Sequence, residues 1–340
     1  MIPTLLHRPL FAVSVFCGLH SFAQTPFQFP TANHALYEVG HELQFFAPTA
    51  PDKPWTSGSF CCVRDNGTRM HEGLDIVHLH TDRRGEPTDP VMATADGTVM
   101  YINAKAGLSN YGKYIVIRHV VEGLEIYSLY AHLSEIAPGT TIGKNVRAGE
   151  VIATMGRTST AEVITKDRAH VHFELNVLVN DNFAAWFKQN STPGERNDHG
   201  EWNGQNLNGL DPREILLAEH NPVHPFSLLN FLRSQTEMCR VLVRATNFPY
   251  LKRYSQLVLR NPIAEKEGVA GYEVVLNFNG VAFALMPRAA SEIKSPAKIQ
   301  LVSVNAPEAE ANRCRKILTQ RGGRWQLTDS GRREMEMLIY

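Results

Sequence analysis

The sequence predicts a mainly β protein, an antiparallel-sheet domain with an open groove followed by a smaller α+β region at the C-terminus. Three observations carry that expectation. Between Trp55 and about His220 the apolar residues alternate in short β-branched runs broken by Gly and Pro, the period of half-buried strands. Turn pairs such as Asp96-Gly97 and Glu122-Gly123 join neighbouring runs, which favours hairpins over βαβ crossovers. A length of 340 residues exceeds what one ordinary core organises, so a second unit is expected.

At the N-terminus, His7 and Arg8 precede an apolar run from Leu10 to Leu19, closed by Ser21-Phe-Ala23 ahead of Gln24. That is the pattern of a secretory signal peptide over 1–23, and it predicts export to a periplasm or the extracellular space. A lipoprotein reading would use Cys17, but Val15 and Phe16 suit that signal poorly. No later run of 18 apolar residues occurs, so no transmembrane segment is expected in the mature chain. Residues 24–54, with Pro48, Pro51 and Pro54 near their end, read as an extended lead-in.

Within 55–220, strands are expected at Val91–Ala95, Gly97–Ile102, Tyr114–Val120, Leu124–His132, Glu150–Thr154 and Arg168–Leu175. A polar insertion from Asn180 to Gly209, with an amphipathic piece near Phe183 to Phe187, is long enough to be functional, and we expect it to wall a binding groove. Asp211-Pro212 opens a helix to about Glu219, with Asp as N-cap and Pro in the first turn. The accessory region 221–340 should hold strands at 238–244, 255–260 and 272–286, the last folded at Asn279-Gly280, then a helix from Pro307 to Leu318 and a turn at Gly322-Gly323. It carries no cluster of acids, bases or ligands, which leaves targeting or positioning as its expected role.

Composition narrows the partners. The 34 basic and 34 acidic residues cancel, so nothing in the net charge suggests a nucleic-acid footprint or a polybasic membrane surface. Removal of Cys17 with the signal leaves Cys61, Cys62, Cys239 and Cys314, an even number in an exported chain. The simplest pairing is Cys239 with Cys314, whereas adjacent Cys61 and Cys62 are ambiguous between a strained vicinal bond and a free thiol. Without a CxxC pair, a thiolate zinc site is not expected.

The chemistry centres on Arg168-Ala-His-Val-His-Phe-Glu-Leu175. Side chains at i and i+2 of a strand leave the same face roughly 6.5 to 7 Å apart, so His170 and His172 share one face and Val171, Phe173 and Leu175 form the core face. Three further pieces accompany it: His71-Glu-Gly-Leu-Asp75, Tyr130-Ala-His-Leu133 and the Asp211-Pro212 close. Imidazole and carboxylate donors suit Zn²⁺, and a catalytic zinc site needs three protein ligands with one position left open.

These pieces in this order resemble the lysostaphin-type (LytM-like) zinc murein endopeptidases, from Trp55 to about His220. Supporting phrases are Pro90-Val-Met-Ala-Thr-Ala-Asp-Gly-Thr-Val99, Tyr111-Gly-Lys-Tyr-Ile-Val-Ile-Arg-His119, Pro138-Gly-Thr-Thr-Ile-Gly-Lys-Asn-Val-Arg-Ala-Gly-Glu-Val-Ile152 and Met155-Gly-Arg-Thr158. The resemblance implies an exported zinc metalloendopeptidase that hydrolyses peptide bonds in peptidoglycan stems or cross-bridges. It implies His71, Asp75 and His172 as ligands of one Zn²⁺ per chain, with His132 and His170 as catalytic groups beside it. The alternative is a non-enzymatic murein-binding adaptor that activates other cell-wall hydrolases; degenerate relatives lose metal ligands, and all five positions are intact here. Two departures concern the groove. The family's Ser-x-Phe-Gly-x-Arg phrase stands here as Ser57-Gly-Ser-Phe-Cys-Cys-Val-Arg64, and the loop from His78 to Asp89 is enlarged.

Other polar residues have plainer expectations. His78-Leu-His80 lies in a charged loop and reads as surface, and His119 as a structural hydrogen-bonder. Glu72 reads as a groove or surface residue. Glu174 is either an acceptor for the outer N–H of a metal-bound histidine or a surface carboxylate.

Overall fold

The computed structural model describes residues 27–340, Pro51 and Pro222 aside. The expected signal peptide at 1–23, with Cys17, lies outside the described residues. Among the described residues no helix is long and apolar enough to cross a membrane.

The stretch expected as an extended lead-in is more than a tether. It contains the short helix α1 (Glu42–Phe45), and Phe27, Phe29, Phe45 and Phe46 are buried in the core. Burial of these four phenylalanines, each contributing roughly 1.5 to 3 kcal/mol, draws the segment onto the core. Next come β1 (Cys61–Arg64), β2 (Arg69–His71), β3 (Leu74–Val77), β4 (Pro90–Met92), β5 (Gly97–Asn103), β6 (Lys113–Val121) and β7 (Leu124–Leu133). The series continues through β8 (Glu135–Ile136), β9 (Asn145–Val146), β10 (Val151–Thr154), β11 (His170–Leu178) and β12 (Leu207–Leu210). The main sheet has the order β12-β11-β7-β6-β5-β9, with β3 also paired to β11, and every ladder within it is antiparallel. The fold is thus mainly antiparallel β, as the alternating runs predict.

Alternation divides that sheet into two faces. Ile115 and Ile117 of β6 join Val171, Phe173, Leu175 and Val177 of β11 in the main apolar cluster. Tyr114 and Val116 of β6 join Leu129 and Ala131 of β7 in a second, smaller cluster on the other face. The even-numbered residues of β11, from His170 to Asn176, share that second face. Part of it is roofed by the polar insertion, whose Leu207 and Trp202 pack on the smaller cluster. The insertion also forms α2 (Phe183–Asn190), which buries Phe183, Trp186 and Phe187. Then α3 (Pro212–Glu219) begins where its cap signals place it, with the Asp211 side chain accepting from the Arg213 N–H.

Beyond it lie α4 (Leu228–Arg233), β13 (Cys239–Val243), α5 (Pro249–Arg253), α6 (Pro262–Glu267), β14 (Gly271–Leu276), β15 (Ala282–Arg288), β16 (Ile299–Val304) and α7 (Ala306–Ala311). The chain closes with β17 (Leu318–Arg321), β18 (Arg324–Leu327) and α8 (Asp329–Leu338). A four-stranded sheet of order β15-β14-β13-β16 is its centre, and the hairpin at Asn279-Gly280 forms as expected, with Gly280 at φ 82°. Two elements differ from expectation. Residues 255–260 form a 3₁₀ turn and an isolated bridge from Val258 to Leu285. The helix expected to reach Leu318 ends at Ala311, because Asn312 leaves helical geometry and Lys316 is left-handed at φ 55°.

The expected Cys239–Cys314 bond does not form; Cys62 is bonded to Cys314 across 252 residues, and Cys61 and Cys239 are free. Cys239 is wholly buried on the central strand β13, where burial pushes its thiol up to about 12. Cys314 sits on a turn packed against β2, its Sγ 3.7 Å from Met70 Sδ. Membership of one sequence region does not make two cysteines neighbours. Polar contacts reinforce the bond: Leu178 N–H donates to the Tyr254 hydroxyl at 3.0 Å, and Asn279 Nδ2 donates to the Gly209 carbonyl at 2.6 Å.

Non-reducing peptide mapping should therefore recover Cys62 joined to Cys314. Because the bond closes a long loop, Cys314→Ser should lower unfolding stability by about 2 to 4 kcal/mol, read from the denaturant midpoint. Recovery of a Cys239 disulfide would overturn the assignment.

Candidate metal centre

The site is built on the central strand β11. His172 faces Asp75 of β3 on one side and Ala131 of β7 on the other, so pairing alone brings three segments to one point. His71 reaches the same point from the end of β2 through the turn Glu72-Gly73. A Cβ on Gly73 would lie 2.2 Å from the Phe173 carbonyl oxygen, so only glycine lets this turn cross β11.

His71 Nε2, His172 Nδ1 and Asp75 Oδ1 form a triangle with sides of 3.1, 2.9 and 3.1 Å. A tetrahedral zinc with ligand distances near 2.0 to 2.1 Å needs edges of about 3.3 Å, so the triangle fits within a few tenths of an ångström. These three groups together could hold a metal ion. Their outer atoms decide what faces inward. His71 Nδ1–H donates to the Ser59 carbonyl at 2.7 Å, which leaves Nε2 with a bare lone pair. His172 Nε2–H donates to Glu174 at 2.8 Å, which does the same for Nδ1. Three donor atoms then point at one place, an arrangement that suits a cation.

Burial and charge agree. Burial opposes ionisation of Asp75, yet the neighbouring His71, His170 and Arg64 hold its carboxyl well below the usual carboxylate range. Arg64 is paired with its second oxygen, Oδ2. Burial pushes His172 down, but hydrogen bonds to Asp75 and Glu174 outweigh it and raise the imidazole to about 10. Both shifts favour positive charge at the point where the three donor atoms meet.

His132 and His170 stand beside the triangle, with ring centroids 4.9 Å apart and His132 5.9 Å from His172. Strict alternation along β7 would turn His132 away from His172. A register shift opposite Tyr114, with His132 at φ 61°, rotates it back onto the same face. Left-handed backbone at a non-glycine residue costs on the order of 1 to 3 kcal/mol, here spent on aiming a side chain. His132 Nδ1–H donates to the Thr158 carbonyl at 2.8 Å and His170 Nδ1–H to the Arg168 carbonyl at 2.6 Å. Burial, with the charges of His170 and His172, pushes His132 down to about 3, and burial likewise lowers His170. Each thus spends Nδ1–H on a carbonyl and turns Nε2 inward, that of His170 lying 3.5 Å from Asp75 Oδ1.

The structure brings together all five residues singled out from the sequence. Of the two readings for Glu174, it selects the buried one: Glu174 is 1% exposed and also accepts from Asn176 Nδ2. Its position two residues after His172 was the available signal. The pairing of Arg64 with Asp75, and the carbonyls of Ser59, Thr158 and Arg168, had no side-chain pattern to reveal them. His80 is exposed, and buried His119 bridges Asp96 and Ser128 as a structural group. Above the triangle opens a cavity of about 560 Å³ whose walls include Glu72, Tyr111, Glu162 and the insertion residues His199 and Asn203. Because Glu174 fixes the tautomer of His172, Glu174→Gln should weaken zinc binding about 10- to 100-fold in a chelator competition. Unchanged affinity would remove Glu174 from that role.

Comparison with known proteins places this geometry. Residues 69–184 match the family model Peptidase family M23. The chain is similar to the DD-carboxypeptidase/endopeptidase Mpg of Neisseria meningitidis, 37% identical over 113 residues, which are 33% of this chain and 23% of that protein. It is also similar to the murein hydrolase activator NlpD of Escherichia coli, 34% identical over 105 residues, which are 31% of this chain and 22% of that protein. The chain thus spans about a quarter of the length of the curated relatives it matches. Among solved structures, the catalytic domain of lysostaphin from Staphylococcus simulans is 25% identical, covering 35% of this chain and 74% of that one, with a TM-score of 0.24. The segment from Arg69 to Ala184 thus carries a peptidase family M23 domain.

Proposed function

We propose that this protein is an exported zinc metalloendopeptidase that hydrolyses peptide bonds in peptidoglycan stem peptides or cross-bridges. The observation that carries this reading is the convergence of three donor atoms on one point, with two further imidazoles beside it. His71, Asp75 and His172 would hold the zinc ion. When bound, zinc supplies a Lewis acid that polarises a carbonyl and lowers the pKa of water.

The chain's own residues do the rest. His132 and His170 each turn Nε2 inward, so either can take a proton from an attacking water. Once protonated, the same Nε2–H can donate to the tetrahedral oxyanion or return the proton to the departing amine. The carbonyls of Thr158 and Arg168 stabilise these imidazolium states through Nδ1–H, so proton transfer needs no ring rotation. Arg64 keeps the Asp75 carboxylate oriented and ionised. The cavity walls from the insertion restrict which peptide reaches this point.

Three arms test the reading. Purified protein should carry about one zinc per chain and release peptides from purified sacculi, identified by mass analysis. His71→Ala, Asp75→Ala and His172→Ala should each lose zinc and activity together. His132→Ala and His170→Ala should keep zinc while kcat falls on the order of 10²- to 10³-fold. A zinc-loaded protein that binds sacculi and releases nothing would instead be an adaptor, the role named for the NlpD relative. Near-parent turnover in zinc-loaded His132→Ala would take that residue out of the mechanism.

A further inference from the structure

The groove above the metal triangle is not closed by the M23 segment alone. Asn279 and Arg315, both from the C-terminal region, line the same cavity as His71 and His172. A second cavity of about 280 Å³ shares Gln205 and Arg315 with the first, and Arg333 and Glu334 also line it. Arg315 thus stands where the two cavities meet. Its place is held covalently, because the preceding residue is Cys314, bonded to Cys62 of β1, the strand that pairs with β2.

Two features of this junction suit a peptide ligand. Arg315 uses Nη2 for Glu334, at 3.0 Å, and for Asn208, at 3.5 Å, and its other terminal nitrogen makes no hydrogen bond to the described residues. Asn279 is 2% exposed and donates Nδ2 to the Gly209 carbonyl, while its Oδ1 has no partner among the described residues. The cavity wall thus carries an unengaged guanidinium nitrogen, with the buried, unpartnered Asn279 Oδ1 in the same wall, a match for a carboxylate. Gly209 lies opposite Asn176, four residues along β11 from His172. On its other side Gly209 abuts the Glu72 carbonyl, next to His71, so the junction lies beside the metal triangle along the same cavity wall.

We propose that Arg315 and Asn279 form a subsite for a peptide carboxylate, so that the C-terminal region selects anionic stem peptides for the zinc centre. This rests on the peptidase reading for the identity of the ligand as a stem peptide. The neighbouring charges set its strength: Glu334 competes with the ligand for Arg315, and Arg333 is engaged by Glu195 at 3.1 Å.

The test is a binding titration on the full-length, zinc-loaded His132→Ala protein, which holds a peptide without turning it over. The probes are fluorescent L-alanyl-γ-D-glutamyl-L-lysyl-D-alanyl-D-alanine and its two mono-amidated forms, at the glutamyl α-carboxyl and at the C-terminus. One amidation should weaken binding about tenfold, the scale of one charge-assisted hydrogen bond, and thereby identify the carboxylate. Adding Arg315→Met should abolish that discrimination, with the Kd ratio falling to about one. Adding Glu334→Gln instead should tighten the free-carboxylate peptide by removing the internal competitor, an arm that keeps its meaning even if Arg315→Met does not fold. Equal binding of all three probes, or discrimination that survives Arg315→Met, overturns the subsite. If the protein with His132 intact cuts all three probes equally well, the subsite fails and the peptidase reading stands. Discrimination in binding with no cutting by that protein overturns the peptidase reading and keeps the subsite.

Discussion

Everything in the site depends on β11 being hydrogen-bonded along both edges. A strand paired on one edge can slip or fray, and a slip of one residue would exchange its histidine face for its apolar face. Here β3 and β12 hold one edge at successive stretches and β7 holds the other, and all nine residues of β11 are buried. Val171, Phe173, Leu175 and Val177 anchor the strand in the main core, which fixes the register. With register fixed, His172 can only stand between Asp75 and Ala131. A functional constellation on a rigid element of this kind holds its geometry more precisely than one built on loops.

Around that strand the electrostatics form an ordered shell. Each of the four imidazoles spends one ring nitrogen on an acceptor: Ser59, Thr158 and Arg168 carbonyls, and Glu174. Those bonds set the tautomers and so decide which lone pairs point inward. The cost is burial of Asp75, Glu174 and Arg64 away from water. Buried ion pairs seldom stabilise a fold relative to apolar packing, and breaking one by removing a single partner leaves an uncompensated charge. The Arg64–Asp75 pair is better understood as specificity for one carboxylate orientation than as a source of stability.

Two of the segments that the M23 match leaves out, the insertion beyond Ala184 and the C-terminal region, shape access to the site. Trp202 and Leu207 cover part of the second sheet face, and His199 and Asn203 wall the groove. From the other side the Asn279-Gly280 hairpin tip docks on Asn208 and Gly209. The Cys62–Cys314 bond joins this region to the strand that carries Arg64. A disulfide between distant parts of the chain restricts the unfolded state most, and here it also sets the spacing across the groove.

Much of this was legible in the sequence because it is local. The period of two along β11 put His170 and His172 on one face, Asp211-Pro212 marked the start of α3, and Asn279-Gly280 marked a hairpin. The resemblance supplied the five site residues, and the structure gathers all five. What the sequence left undecided was set by contacts between distant segments. Cysteine pairing follows from which surfaces dock, and the turn carrying Cys314 docks on β2, away from Cys239. His132 would face the wrong side by alternation, and only the register shift against β6 turns it toward the site. The carbonyls that select each tautomer have no residue-type signature at all. Side-chain pattern reports the face a residue takes within its own strand, whereas partners across the fold depend on packing that no single stretch encodes.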